Sequence, residues 1–346
     1  MADVLPYCLI HKILSYLTFT EAAQMSILCK TWLEAWLTLP NLEFTVNHLK
    51  GNLKIVDNIM KRYSDGKIPI EKFELSDSNY SREAFLLFDK WLDIALQNGV
   101  KDLVLRVPPY TSYPLPIFTI LAAKSLRQLD LDGCNLMSVS LSSGTTNCHS
   151  LRKLSLSFLN LDENMLQTLL NSCPLIISFI FHYCDGLEKI ELLNLQKIKS
   201  VSVKTFGNQR VKIEAPTLEH LFYFGVEEEY PMLDIIDAPN LVSLEYIGDQ
   251  IPEIVDANLQ WSCHPRRLVL ESTSKTIACF MDSLMYMQIL SHSTSHGSKP
   301  LHNQLQDVKA YIFDWENRRW HPVELESGKM AIRTPSERDT FCFVLD

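Results

Sequence analysis

The sequence predicts an α/β protein with a short N-terminal α-helical module, a curved solenoid of parallel strands, and a small C-terminal strand segment that caps the solenoid. Leucine supplies 52 of the 346 residues, whereas glycine supplies only 11. Many leucines recur at one fixed spacing, which is typical of repeat architectures, and apolar residues near the N-terminus recur at helical spacing. We assign residues 1–46 to the helical module, 47–275 to the solenoid with its linker helices, and 276–346 to a C-terminal helix and strand cap.

The few glycines exclude several classes of enzyme. The two closest, Gly133 and Gly144, are eleven positions apart, whereas the dinucleotide-binding loop, the P-loop and the nucleophile elbow each need glycines within a few residues. His292 and His296 are four residues apart, but their serine-rich surroundings do not favour the helix that would present a zinc pair. The sequence therefore lacks the signatures of these classes of enzyme, and we expect neither a metal nor a cofactor.

The net charge and the hydropathy of the sequence limit the kinds of binding partner and the cellular compartment that we expect. The formal net charge of −9 disfavours unspecific binding to nucleic acid or to a membrane surface, because such binding needs clustered Lys and Arg. No apolar run approaches the length of a transmembrane helix, and the first residues do not resemble a signal peptide. Nine cysteines without a C-x-x-C pair indicate reduced thiols. We expect an intracellular protein, in the nucleus or the cytoplasm.

Three apolar stretches near the N-terminus predict three short helices. The first stretch consists of Leu5, Leu9, Ile10, Ile13, Leu14 and Leu17. Thr18 stands three residues before Glu21, which is the capping-box pattern that starts a new helix. The third stretch contains Trp32 and ends at Pro40. So small a bundle buries little surface against its ordering entropy, which suggests that some of its large apolar side chains face a partner.

The same segment carries an extended pattern of residues. It consists of Leu5-Pro6, Ile13-Leu14-Ser15-Tyr16-Leu17, Ala22-Ala23, Ser26-Ile27-Leu28-Cys29-Lys30, Trp32, Trp36 and Leu39-Pro40-Asn41-Leu42-Glu43-Phe44. In this order and spacing it resembles an F-box of the kind found in plant F-box proteins with leucine-rich repeats. Two positions depart from the family pattern, because Tyr7 stands where an acidic residue is common and Thr31 replaces an arginine.

The resemblance implies a function for this module. In that family the F-box docks on a Skp-family adaptor, which connects it to a cullin ubiquitin ligase. The residues implied to form or support that interface are Leu5, Pro6, Ile13, Leu14, Leu17, Leu28, Trp32 and Trp36. The alternative is that these side chains pack inward against the following repeats.

Downstream, the template apolar-x-x-apolar-x-apolar recurs, which is the strand core of a leucine-rich repeat. A clear example is Leu126-Leu129-Leu131. The template starts at residues 70, 100, 126, 151, 176, 187, 198, 218, 241 and 265. Most intervals lie near the repeat length of this class, but the steps 176–187 and 187–198 span only 11 residues. These two steps imply tight turns, or one match that arose by chance.

The residues between the template strands predict the secondary structure on the opposite side of the solenoid. An apolar stripe over 84–96 ends at Asn98-Gly99 and predicts a helix, and 162–170 predicts a second one. The late spacers 213–217 and 235–240 are short and contain proline, so we expect irregular chain there. The solenoid should therefore have helices early and loops late.

Alternation along the strands predicts which side chains face solvent. Early repeats present polar residues such as Asp130 and Asp132, which we interpret as a solvated rim, whereas middle and late repeats present apolar ones. The predicted target-binding patch consists of Ile180, Leu193, Phe222, Phe224 and Ile247, with His182 as a binding residue at its rim beside Glu191, His220 and Glu245. The alternative is that the C-terminal segment folds back and covers the patch.

The C-terminal segment predicts a terminal cap, which a solenoid needs to cover its last core face. Residues 277–290 favour a helix, 291–300 a polar loop, and 308–313, 320–325 and 341–345 three strands. This segment resembles the C-terminal extension of many plant F-box proteins. Among the cysteines, Cys134, Cys173 and Cys184 lie at or near repeat core positions, so we expect inert buried thiols.

These features together predict a non-catalytic recruitment subunit of a ubiquitin ligase. The F-box would hold the ligase scaffold, and the repeats would hold a target protein of unknown identity, so that the rate gain comes from proximity. Two alternatives stay open. One is a plain binding scaffold whose F-box no longer engages the adaptor. The other is a receptor of the same architecture, in which a small molecule completes the target-binding surface.

Overall fold

The computed structural model describes residues 5–46, 53–77, 82–108, 113–136, 148–193, 195–206, 209–225, 233–248, 267–273, 277, 280, 308–315, 317–323 and 338–345. The chain forms two compact units, Met1–Leu175 and Ile176–Asp346. Both units are built on parallel strands, as the sequence predicts.

Three short helices open the first unit, as predicted. They are α1 (Tyr7–Leu14), α2 (Phe19–Met25) and α3 (Lys30–Trp36). The predicted capping box is present at the start of α2, where the Glu21 amide donates to Thr18 Oγ1 at 3.3 Å and the Thr18 amide donates to Glu21 Oε2 at 2.9 Å. The core between the helices consists of Ile10, Leu14, Ala22, Trp32, Ala35 and Leu39.

Replacing Thr18 with alanine is expected to destabilise the start of α2 by about 1 kcal/mol, because the side-chain cap is lost. The α2 amides should then exchange with deuterium about fivefold faster, as hydrogen-exchange mass spectrometry would measure. Hydrogen bonds from Thr18 lower the pKa of Glu21, so the capping box is complete at neutral pH and is lost as the pH falls through that lowered pKa. Thr20→Ala, at an exposed α2 position, is the matched control, and equal acceleration in both variants would contradict the prediction.

Five parallel strands form the sheet of the first unit. They are β1 (Asn41–Val46), β2 (Lys72–Asp77), β3 (Asp102–Arg106), β4 (Gln128–Asp132) and β5 (Lys153–Ser157), and each pairs with the next. β1 precedes the first template match and lies within the stretch that resembles an F-box. It forms a strand because Leu42, Phe44 and Val46 alternate with exposed residues and are buried.

Helices accompany these strands. They are α4 (Leu53–Gly66), α5 (Arg82–Gln97), α6 (Ile117–Leu121) and α7 (Glu163–Ser172). α5 and α7 confirm the two helices predicted from the spacers. Gly99 follows α5 with a φ of 80°, and the Asp162 carboxylate caps α7 by accepting the Met165 amide at 2.7 Å.

The strands are in register, so the buried side chains form continuous rows from one repeat to the next. One row consists of Leu42, Phe73, Leu103, Leu129 and Leu154, and the next of Phe44, Leu75, Leu105, Leu131 and Leu156. Backbone hydrogen bonds continue the ladder past the strand ends, since Val107 N donates to Asp132 O at 2.9 Å and Gly133 N donates to Ser157 O at 3.0 Å. The leucine triplets therefore supply the core of this unit.

The second unit distributes its strands between two parallel sheets. The first sheet contains β6 (Ser178–His182), β8 (Ser200–Lys204), β10 (His220–Phe224), β12 (Ser243–Ile247) and β13 (Arg267–Thr273). The second sheet contains β7 (Lys189–Leu192), β9 (Arg210–Glu214) and β11 (Leu233–Asp237). From β6 to β12, successive strands therefore enter alternate sheets.

This alternation explains the two 11-residue steps and corrects the prediction for the late spacers. β7 is neither a chance match nor a tight turn, because it forms half of a solenoid turn and belongs to the second sheet. The late spacers contain the strands β9 and β11 rather than irregular chain. The residues that stabilise them by burial at alternate positions are Val211, Ile213, Leu233 and Ile235. Pro216 and Pro239 lie after these strands, in the turns.

Three C-terminal strands confirm the predicted ones. They are β14 (Val308–Asp314), β15 (Arg319–Val323) and β16 (Arg338–Leu345). β16 pairs antiparallel with β13 and with β14, so the described C-terminal strands join the edge of the first sheet rather than fold back over its outward face. The predicted helix 277–290 and loop 291–300 lie outside the described residues except for Ile277 and Phe280, which are helical. The Phe280 ring lies 5.6 Å from the ring of Phe343.

Candidate functional site

The structure sorts the eight predicted adaptor-binding residues into an exposed group and a supporting group. The exposed group consists of Leu5, Pro6, Ile13 and Leu28. Leu14 and Trp32 are only 1% and 5% exposed and belong to the core of the helical module. Leu17 and Trp36 are half-buried and pack against that core. The first group can contact a partner directly, and the second holds the helices that present it.

The helical module exposes more large hydrophobic side chains than the sequence analysis selected. The additional ones are Tyr7, Leu9, Tyr16, Ile27 and Leu33. With Leu5, Ile13 and Leu28 they make eight of the sixteen large hydrophobic residues that are exposed in the described part of the chain. We call these eight the apolar surface of the helical module. Single exposed hydrophobic residues are normal, but such a concentration marks an interaction surface.

Tyr7, one departure from the family pattern, connects α1 to the segment that follows α3. Its hydroxyl lies 3.0 Å from Thr38 Oγ1 and 3.0 Å from His11 Nε2, and these two atoms lie 3.2 Å apart. Burial lowers the pKa of His11, so the imidazole is neutral in this network at neutral pH. Family members commonly carry an acidic residue at this position. In this chain Tyr7 instead makes a tertiary contact at the start of α1.

The second predicted surface lies on the first sheet of the second unit, where the strand register decides which residues meet. Lys204, Phe224 and Ile247 are register partners across β8, β10 and β12, and Phe222 lies beside Glu245. Lys204 Nζ lies 5.5 Å from the centroid of the Phe222 ring, within cation–π distance. Phe222, Phe224 and Ile247 therefore lie together, beside a cation that the sequence analysis did not select.

Other residues of the predicted patch are separate from this group. Ile180 is separated from β10 by Ser202 of β8, and His182 Nε2 lies 2.8 Å from the Ser202 hydroxyl. Glu191 lies within β7 of the second sheet, and Leu193 directly follows that strand. The prediction of one contiguous patch is therefore wrong at Leu193. The physical reason is that strands of both sheets bury alternate residues and give the same sequence pattern.

Two aromatic residues at strand ends extend the group on the first sheet. The ring centroid of Tyr183, which follows β6, lies 4.9 Å from that of Phe206 and 6.3 Å from that of Phe224. Phe206 is exposed. Sequence reasoning missed both residues because Tyr183 lies outside the template, whereas Phe206 occupies the apolar position that follows the template and is expected to face the core. We call the following set the aromatic surface of the second unit: Tyr183, Lys204, Phe206, Phe222, Phe224 and Ile247.

The outward face of the sheet in the first unit carries charged side chains that form ion pairs with one another. Arg106 contacts Glu74, its Nη2 lies 3.4 Å from Asp130 Oδ2, and Lys72 Nζ lies 2.7 Å from Glu74 Oε2. Burial and the neighbouring Asp130 carboxylate raise the pKa of Asp132. This face is therefore a partly solvated charge network, as the sequence predicts for Asp130 and Asp132.

The described residues show neither a metal site nor a membrane span. No group of three or more His, Cys, Asp and Glu among them could hold a metal ion. None of their helices has the length and apolar character needed to cross a bilayer.

A helical module with an apolar surface, followed by repeats of parallel strands, defines the class of F-box proteins with leucine-rich repeats. Residues 3–44 match the F-box domain. Residues 88–262 match the family described as FBD-associated F-box protein At5g56370, LRR repeats. Because the second match covers just over half of the chain, this protein belongs to the F-box/LRR family.

Curated relatives from Arabidopsis thaliana resemble much of the chain. F-box/LRR-repeat protein 25 is 28% identical over 226 residues, which cover 63% of this chain and 83% of the relative. F-box/LRR-repeat protein At3g59200 is 29% identical over 272 residues, or 72% of this chain and 46% of the relative. F-box/FBD/LRR-repeat protein At1g78750 is 25% identical over 236 residues, or 63% and 51%. The chain spans about half the length of most of the curated relatives it matches.

Proposed function

We propose that this chain is the substrate-recruiting subunit of a Skp–cullin–F-box ubiquitin ligase. The apolar surface of the helical module carries the proposal, because eight exposed hydrophobic residues on, between and just before three short helices suit a protein interface. The F-box match at residues 3–44 supports a Skp-family adaptor as the partner, with a cullin reached through it.

In this role the chain itself performs no chemistry. It holds the adaptor on the helical module and a target protein on the repeats, so that the target meets the ubiquitin-carrying component at a high effective concentration. This role places the protein inside the cell, in the nucleus or the cytoplasm.

Co-purification with a Skp-family adaptor tests the proposal. The full chain and the adaptor should elute as an equimolar complex in size-exclusion chromatography, with a micromolar or tighter Kd, about −8 kcal/mol. Each protein alone gives the reference elution volume. A folded chain that elutes apart from the adaptor would overturn the ligase role and favour a plain binding scaffold.

The aromatic surface of the second unit is the proposed target-binding site. Aromatic rings and cations supply much of the binding energy at protein interfaces. Lys204, Phe222, Phe224 and Ile247 stand on strands that are fixed by in-register pairing. A preorganised surface of this kind loses little conformational entropy on binding.

Replacing Phe222 and Phe224 with serine is expected to reduce target capture about tenfold or more, because both rings lie on the outward side of β10 and are removed from the interface. Quantitative mass spectrometry of proteins captured from plant extract measures the change, and adaptor capture should stay constant. Val242→Ser, at an exposed position of the same unit, is the matched control. Unchanged capture by a folded double variant would exclude this surface as the target site.

A further inference from the structure

Two cysteines of the first unit are neighbours although they are far apart in sequence. The amide of Cys148, just before β5, donates to the carbonyl of Ser172 at the end of α7, at 2.7 Å. This bond places Cys148 beside Cys173, close enough for each thiol to shift the pKa of the other. The Cys148 sulfur also lies 3.7 Å from the hydroxyl oxygen of Ser150.

Cys148 forms part of the wall of a cavity of about 350 Å³. The other lining residues include Leu121, Ala122, Lys124, His149 and Ser150. Cys148 is only 3% exposed, so small reagents reach it through this cavity. A water molecule needs about 30 Å³, so the cavity has room for a small oxidant such as hydrogen peroxide.

The contact between the two thiols shifts their pKa values in opposite directions and so gives them different roles. The hydrogen bond from Cys173 lowers the pKa of Cys148, and the same bond together with burial raises the pKa of Cys173. Cys148 is therefore the more acidic thiol, which forms the nucleophilic thiolate more readily, and Cys173 is the less acidic one.

We propose that Cys148 and Cys173 form a peroxide-responsive pair that closes to a disulfide. The Cys148 thiolate attacks one oxygen of hydrogen peroxide, the O–O bond breaks, hydroxide leaves, and Cys148 becomes a sulfenic acid. The Cys173 sulfur then attacks the Cys148 sulfur, the S–O bond breaks, and the Cys173 proton and the leaving hydroxide form water. Peroxide is the oxidant, and two thiols are converted to one disulfide.

Two other buried cysteines lack this arrangement. Cys134 directs its thiol to the Asp132 carbonyl at 3.8 Å, and Cys184 directs its thiol to the His182 carbonyl at 3.6 Å. Burial raises the pKa of Cys134, which suits the inert thiol that the sequence predicts. For Cys173 the same prediction is revised, because its neighbour Cys148 provides a reaction partner.

Peptide mapping of the oxidised full chain tests the proposal. After treatment with hydrogen peroxide and alkylation of the remaining thiols, mass spectrometry should find the Cys148 and Cys173 peptides linked and short of two hydrogen atoms. In Cys173→Ser the resolving thiol is absent, so Cys148 should accumulate as a sulfenic acid that dimedone traps. Cys184→Ser is the matched control and should form the link at the wild-type rate.

A wild-type measurement makes the test independent of variant folding. Iodoacetamide should alkylate Cys148 about tenfold or more faster than Cys184, because Cys148 forms the thiolate more readily. Equal rates, or oxidation of other cysteines while Cys148 and Cys173 stay unlinked, would overturn the proposal.

Discussion

Replacing Ile13 and Leu28 together with aspartate is expected to weaken binding to a Skp-family adaptor at least tenfold, or about 1.4 kcal/mol and more. Leu28 is 49% exposed, and both residues belong to the apolar surface of the helical module. In the interface each new carboxylate would be desolvated without a partner, which is costly. Isothermal titration calorimetry with the purified adaptor measures the loss.

The control for this variant is Leu86→Asp, because Leu86 is 77% exposed on α5, outside the helical module. It should bind the adaptor like the wild type. Leu14→Ala and Trp32→Ala are expected to lose binding for a different reason, since each truncation in the core costs about 2–5 kcal/mol of stability. Wild-type affinity in a folded variant of Ile13 and Leu28 would rule out this docking surface.

Gly133→Ala is expected to destabilise the first unit by about 3 kcal/mol or more. A Cβ atom at Gly133 would lie 2.0 Å from the carbonyl oxygen of Val107. That carbonyl cannot easily withdraw, because Val107 N is bonded to Asp132 O and Gly133 N to Ser157 O. Relief of the clash requires the ends of β3 and β4 to separate. Urea denaturation measures the change.

Gly99→Ala is the control that distinguishes the effect of the Val107 contact from the effect of a left-handed backbone conformation. Gly99 also has a positive φ, of 80°, but an added Cβ would meet nothing within 4 Å, so the expected loss is only about 1–2 kcal/mol. Phe158 and Tyr183, which follow β5 and β6 as Gly133 follows β4, have φ values of 51° and 53°. A left-handed backbone alone therefore does not require glycine after a strand. Equal destabilisation of both glycine variants would refute the role of the Val107 contact.

Features set by residues that are near in sequence could be predicted. The capping box at Thr18 and Glu21, the helices α5 and α7, and the template strands depend on spacing within a few positions, and the structure contains all of them. Hydrophobic periodicity directly indicates which local segments form helices and which form strands.

Features set by tertiary contacts could not be predicted. Leu193, directly after β7, and Phe222, in β10, follow the same alternation. β7 and β10 nevertheless belong to different sheets, because the hydrogen-bonding partners of a strand lie outside its own sequence. The only signal was the interval of 11 residues between template matches, half the usual repeat. Likewise, the F-box pattern contains both Ile13 and Leu14 without indicating that one is exposed and the other buried.

Successive strands of the second unit alternate between two sheets. The sheet to which a strand belongs therefore depends on whether the number of strands before it is odd or even. From β6 to β12 the strands begin at residues 178, 189, 200, 210, 220, 233 and 243. Loss or gain of one strand would transfer every later strand to the opposite sheet, so that β10 would present Phe222 and Phe224 from the wrong side of the molecule. Loss or gain of two strands would preserve every later pairing. Length variation in this part of the fold is therefore expected in whole turns of two strands.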